Sequence, residues 1–189
     1  MTDRERWNAK YAVADGNEKL RPNDWLVRHV PAQPGRALDL ACGLGHDAVW
    51  LATRGWNVTA IDVSDVALAR AAELARHHDV TIDWRCEDLT AISLPPDTFD
   101  LVVVFQFLHR QHLPEQIVQS LAPRGVLVYE TFTLDQLHVP GTHLKNPDYL
   151  LGPNELLDMF RPLRVRHYRA VRLEEKAVAG LVGERELKN

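Results

Sequence analysis

Apolar positions along this chain switch between two periods, and the switches mark out its elements. In residues 36–62, RALDLACGLGHDAVWLATRGWNVTAID, an apolar run ends near Asp39 and gives way to the loop Ala41, Cys42, Gly43, Leu44, Gly45. An amphipathic stretch continues to Gly55, and a second apolar run from Val58 ends in Asp62. The pattern predicts strand, glycine loop, helix, strand: one βαβ unit. Ser64 and Asp65 then cap a helix running to about residue 78, with Ala67, Leu68, Ala71, Leu74 and Ala75 at helical spacing as its buried face. Residues 81–86 alternate as a third strand with Ile82, Trp84 and Cys86 on one side. After the turn residues Pro95, Pro96 and Asp97, the run FDLVVVF at 99–105 is β-branched and apolar on both faces, as in a central parallel strand. Pro114 opens a helix that stops near residues 123–125, and residues 126–131 form a fifth strand.

Beyond residue 131 the pattern changes. Residues 132–152, FTLDQLHVPGTHLKNPDYLLG, form a long connection punctuated by proline and glycine, of the kind that serves as a functional lid. Its Phe132, Leu134, Tyr149 and Leu150 favour a packed lid over disorder. A short helix over 153–160 precedes two alternating stretches, 164–172 and 177–184, that read as an antiparallel strand pair. At the other end, Trp7 and Tyr11 share one helical face at i, i+4, flanked by Arg4 and Lys10, and a second helix runs from about Trp25 to residue 30. Residues 1–30 are thus expected to be a helical cover or to pack on the sheet edge, with Arg21 ahead of the first strand. The whole is an α/β chain without repeats.

Composition narrows the picture. At 189 residues and 46% apolar, the chain can bury one substantial core, so residues 1–189 are expected to form a single domain. It has no run long enough for a membrane span and no signal-peptide pattern after Met1. Cys42 and Cys86 lack metal-ligand spacing and point to a reducing, cytoplasmic setting. A net charge of −4 disfavours nucleic acid as the partner. No metal site is expected.

The glycine loop carries the candidate chemistry. Gly43 and Gly45 let backbone approach a ligand closely, and Asp62, 19 residues after Gly43, is placed to accept hydrogen bonds from ribose hydroxyls. An adenosine-containing cofactor follows. Two kinds remain open on spacing, because residues 43–48 also satisfy the dinucleotide pattern G-x-G-x-x-G/A. Asp39 adds a distinguishing feature: a dinucleotide pyrophosphate wants bare amides, whereas a ligand ammonium wants a carboxylate. The arrangement Asp39-x-Ala41-Cys42-Gly43-x-Gly45 resembles the first motif of class I S-adenosylmethionine (SAM) methyltransferases, with Ala41 in the first glycine place. The segments RWNAKY at 6–11, YETF at 129–132, NPDYLL at 146–151 and ELL at 155–157 resemble the tellurite-resistance-type subgroup of small-molecule methyltransferases.

The resemblance implies a three-layer αβα sandwich around a mostly parallel seven-stranded sheet, ordered 3-2-1-4-5-7-6 with the last strand antiparallel. It implies SAM as cofactor, S-adenosylhomocysteine as product, and a small-molecule methyl acceptor. The cofactor site would take in Tyr11, Asp39, Ala41, Cys42, Gly43, Gly45, Asp62, Val63, Asp88, Leu89 and Phe105, with Asp88 against the adenine amine. Methyl transfer from a sulfonium needs a base only if the acceptor must lose a proton. His109, just after the fourth strand, and Tyr129 and Glu130, on the fifth, are the catalytic candidates, with Phe105, Gln106 and Phe107 beside them in the acceptor pocket. Arg110 could attract an anionic acceptor, and the stripe Arg164, Arg166, Arg169, Arg172 reads as an exposed strand face. The other readings are an NAD(P)-binding oxidoreductase, which lacks a Tyr-x-x-x-Lys pair and a task for Asp39, and a non-catalytic SAM-binding module. The oligomeric state is not legible.

Overall fold

The computed structural model describes residues 2–13 and 19–187; residues 1 and 14–18 of the expected N-terminal cover lie outside the described residues. Helices α1 (Asp3–Ala12) and α2 (Asp24–His29) precede the sheet. There follow β1 (Arg36–Leu40), α3 (His46–Ala52), β2 (Asn57–Asp62), α4 (Asp65–His77), β3 (Asp83–Cys86) and β4 (Phe99–Phe105). The chain closes with α5 (Leu113–Ser120), β5 (Leu121–Phe132), α6 (Glu155–Met159), β6 (Arg164–Arg172) and β7 (Ala177–Glu184). The seven strands lie in the order β3-β2-β1-β4-β5-β7-β6. Every pairing is parallel except those of β7, which runs antiparallel to β5 and β6. The expected αβα sandwich and strand order are therefore those observed.

Alternation along the central strands fills two cores. Leu38, Leu40, Val102, Val104, Leu127 and Tyr129 face the side closed by Leu113 and Ile117 of α5 and Leu156 of α6. Ala37, Leu101, Val103 and Val128 face the side closed by α2, α3 and α4. The capped helix α4 buries Ala67, Leu68, Ala71, Leu74 and Ala75, the five positions its periodicity selects.

Two boundaries differ from expectation. Helix α5 ends at Ser120 because Leu121 already pairs with Phe99, ahead of a register shift between Phe99 and Leu101. The shift brings the chain so close at Gly125 that a Cβ there would lie 2.7 Å from the Phe99 carbonyl oxygen, which only glycine tolerates. Strand β3 spans Asp83–Cys86 rather than 81–86, and as an edge strand it leaves Cys86 exposed.

The 132–152 connection is packed. It forms 3-10 turns at Leu134–His138 and Pro147–Tyr149. Leu151 donates to the Phe132 carbonyl at 2.9 Å, and the buried Gln136 side chain accepts the Ala177 N–H at 2.8 Å. Arg110 binds the Asp148 and Leu150 carbonyls and the Glu155 carboxylate, which absorbs its donors in holding this segment against α6. The expectation that Arg110 faces an acceptor is thereby replaced by a structural task. The β6 arginines are likewise engaged: Arg166 with Glu184, Arg169 with Glu130, Arg172 with the His138 carbonyl.

Candidate functional site

Strand order reverses between β1 and β4, and in open α/β sheets the crevice at such a switch point receives ligands. The glycine loop sits at the β1 end of that crevice. Ala41, Gly43 and Gly45 all adopt positive φ (58°, 51° and 76°), so the chain folds sharply before α3. Asp62, at the tip of β2, fastens the loop: one carboxylate oxygen accepts the Gly43 N–H at 2.8 Å and the other the Ser64 N–H at 2.9 Å. The two loop glycines do different work. A Cβ on Gly43 would meet the Tyr11 hydroxyl at 2.7 Å, so α1 lays a phenol directly on the loop. A Cβ on Gly45 would meet Ala71 at 2.7 Å and Trp84 at 2.8 Å, so Gly45 makes room for α4 and β3.

A cleft of about 350 Å³ opens over this loop. Its lining includes ten of the eleven expected cofactor residues: Tyr11, Asp39, Ala41, Cys42, Gly43, Asp62, Val63, Asp88, Leu89 and Phe105. Gly45 is the exception, since its open side is filled by protein. Trp7, stacked on Tyr11 with centroids 5.6 Å apart, and Lys10 complete the α1 wall. Arg21 and Asn23 supply a second wall, and Gln106 and Phe107 extend the β4 end.

The electrostatics of the cleft are dominated by carboxylates. Asp39 is 2% exposed, and among the described residues its buried Oδ2 has no hydrogen-bond partner. Burial, then the nearby Asp47 and Asp62 carboxylates, push its carboxyl well above the usual range. Asp47, in the first turn of α3, accepts the Asn23 N–H at 2.6 Å and is raised by burial to about 6. Asp62 is also raised by burial, against the pull of its amide donors. Burial lifts the Cys42 thiol and the Tyr11 phenol, keeping both protonated at neutral pH. Sequence reasoning missed Asp47, His46 and Asn23. An acid in a helix's first turn reads as a dipole partner, and only the fold shows that Asp47 turns into the cleft beside Asp39.

The three catalytic candidates are not brought together there. None belongs to the cleft lining. Tyr129 is 1% exposed, packs on Phe160 and donates to the Phe107 carbonyl at 2.7 Å. Burial raises its phenol further, so it is a core residue that fixes the chain after β4. Glu130 is buried and paired with both Arg169 and Lys176, away from the cleft lining. Strand alternation alone cannot tell these two from cleft residues, because the β5 tip is covered by the chain that returns over it. His109 stands near the rim: its Nε2 is buried without a partner, and burial and His112 lower its pKa while Asp88 opposes them.

With this geometry in view, known proteins can be compared. Residues 37–125 match a family model described as a methyltransferase domain. A ubiquinone biosynthesis O-methyltransferase of Chromobacterium violaceum is 33% identical over 115 residues, covering 57% of this chain and 49% of that protein. The chain spans half or less of the length of the curated relatives it matches. A SAM-dependent methyltransferase structure from Methanosarcina mazei superposes with a TM-score of 0.73 at 19% identity, covering 89% of this chain and 100% of the other. The structure of TehB from Haemophilus influenzae gives a TM-score of 0.70 at 19% identity, covering 86% and 62% respectively. The two structures share the fold described above.

Proposed function

We propose that this chain is a class I SAM-dependent methyltransferase that transfers the methyl group of SAM to a small-molecule acceptor, a reading supported by its match to a methyltransferase-domain model over residues 37–125. The observation that carries the reading is the buried, unpartnered Asp39 Oδ2 in a cleft whose loop is tied to Asp62. A dinucleotide pyrophosphate would meet carboxylate repulsion here, whereas the ammonium of SAM completes the orphaned acceptor. Asp39 would hold that ammonium and Arg21 the ligand carboxylate. Asp62 would use its remaining lone pairs for the ribose while keeping the loop in place, and Asp88 with Leu89 would border the adenine.

SAM supplies an activated methyl group on a sulfonium, so the protein's contribution is orientation and exclusion of water. Phe105, at the edge of the cofactor residues, continues into Gln106 and Phe107 as the wall that would orient the acceptor. Phe105 and Phe107 offer apolar surface, and the Gln106 amide offers one donor and one acceptor, which suits a small, partly apolar molecule. His109, held neutral by burial and close to Asp88, is retained as the base for acceptors that must lose a proton.

Helix α1 and residues 132–152 would act as the cover. Helix α1 buries no residue fully. It is held by polar links: Arg4 and Asn8 to Asp65, Asn8 to Ser64, and Arg6 to Tyr149 of the connection. An element held this way opens at low cost.

The test is a methyl-transfer screen with isotope-labelled SAM across thiols, phenols, small acids and oxyanions, read by S-adenosylhomocysteine formation. Turnover with at least one small acceptor is expected. SAM binding with no transfer to any class would leave a binding module in place of an enzyme.

A further inference from the structure

Nothing in the cofactor reading accounts for Asp47. This residue places a second, half-buried carboxylate on the same cleft, eight residues after Asp39. Asp47 stands close enough to raise the proton affinity of the Asp39 carboxyl, and both acids line the cleft where β1 leads into α3. Asp47 spends one oxygen on the Asn23 N–H. Among the described residues, nothing hydrogen-bonds Asp39 Oδ2. Asp47 adds to the proton affinity of the buried Asp39, so the two acids on one cleft do not both ionise readily.

The counter-charges available do not relieve this pair. Lys10 on α1 sits over the Trp7 ring at 4.4 Å. Arg21 faces His46, whose imidazole is kept neutral by burial and by that arginine. The remaining acids on the cleft, Asp3, Asp62 and Asp88, add negative charge. Tyr11 and Cys42 stay protonated and contribute none.

We infer that Asp39 and Asp47 form a proton-holding pair that exchanges its proton for a ligand ammonium, so that cofactor uptake is coupled to proton release. The inference rests on the cofactor reading above and adds to it a partner for Asp39 and a rule for pH. Binding of a cation lowers the pair's proton affinity; by linkage, protons weaken the cation's binding. Below the pair's titration range, affinity falls up to tenfold per pH unit; above it, affinity is flat. A ligand without the amino-acid end gains nothing from the exchange, so the pair also selects for ammonium-bearing nucleosides.

The experiment is isothermal titration calorimetry of S-adenosylhomocysteine at pH 5.5, 6.5 and 8, in pairs of buffers with different ionisation enthalpies, with 5′-methylthioadenosine as the probe lacking the ammonium. Release of roughly half a proton or more at pH 5.5–6.5, near zero at pH 8, is expected for S-adenosylhomocysteine but not for methylthioadenosine. Asp47→Asn, which keeps an acceptor for the Asn23 N–H, should at least halve the release at pH 6.5 and weaken S-adenosylhomocysteine several-fold at pH 8. Binding of S-adenosylhomocysteine with no proton release and no pH slope in the wild-type protein would overturn the inference while leaving the cofactor assignment standing. Failure of S-adenosylhomocysteine to bind at any pH would remove both. Because the wild-type measurement decides the matter, a misfolded variant does not blunt the test.

Discussion

Replacing Asp62 with alanine separates the loop-fastening role from a simple contact with ligand. The carboxylate accepts two buried backbone amides, Gly43 at 2.8 Å and Ser64 at 2.9 Å. Hydrogen bonds to a charged acceptor contribute about 1.5–3 kcal/mol each, and a stranded buried amide costs about 1–3 kcal/mol. Against this stands the burial that raises the carboxyl's pKa, an unfavourable term that the mutation removes. We therefore expect a net loss of about 3 kcal/mol of stability, or roughly 6–12 °C in Tm for a domain of this size. Asp62→Asn retains one acceptor and should lose about half as much. Urea unfolding monitored by circular dichroism gives the stability, and calorimetric titration with S-adenosylhomocysteine gives binding. Affinity should fall more than tenfold in the alanine variant, because loop order and the ribose contact are lost together. A Tm within 2 °C of wild type and unchanged affinity would refute both the fastening and the ribose role.

Four further outcomes are expected. Gly43→Ala places a methyl 2.7 Å from the Tyr11 hydroxyl at a left-handed residue, so cofactor affinity should drop at least tenfold in the same titration; unchanged affinity would mean α1 does not bear on the loop. Tyr129→Phe removes the hydrogen bond to the Phe107 carbonyl and should lower stability by about 1–2 kcal/mol while kcat changes less than about threefold; a hundredfold loss of kcat at unchanged stability would restore Tyr129 as catalytic. Asp47 has a folded pKa raised from 3.8 to about 6, so its contribution to stability is fully present below pH 4 and is lost as pH rises through 6, by about 3 kcal/mol; the stability difference between wild type and Asp47→Asn should therefore shift in that direction between pH 4.5 and 7.5, and a flat difference would contradict it. Hydrogen exchange should slow in α1 and in residues 132–152 on binding S-adenosylhomocysteine, and unchanged exchange in both would remove the cover.

Much of this was readable in the residues before any coordinates. The run 99–105 became β4 without adjustment, since a β-branched segment apolar on both faces has few other places in an α/β fold. Ten of the residues expected to hold the cofactor line one cleft because the loop, the acid at each strand tip and the βαβ spacing fix one another. Tyr129 and Glu130 lie outside the cleft lining for a common reason. Periodicity says which strand end a residue occupies, but whether that end is open depends on distant chain: Phe160 and the Phe107 carbonyl close over Tyr129, and Arg169 and Lys176 neutralise Glu130. Asp47 escaped notice for the converse reason, because a helix-start acid facing solvent and one facing a cleft have the same local sequence. Arg110 was set beside the acceptor pocket by its neighbourhood in sequence, while its actual partners lie 38 to 45 residues away.

The central claim is that the carboxylate-lined glycine loop receives SAM and not a dinucleotide. Side-by-side calorimetric titration of the purified protein with S-adenosylhomocysteine and NAD tests it most directly. One-to-one binding of S-adenosylhomocysteine at least about a hundredfold tighter than NAD, a gap of roughly 2.7 kcal/mol, is the expected result. Equal affinities, or NAD binding with none for S-adenosylhomocysteine, would contradict the account.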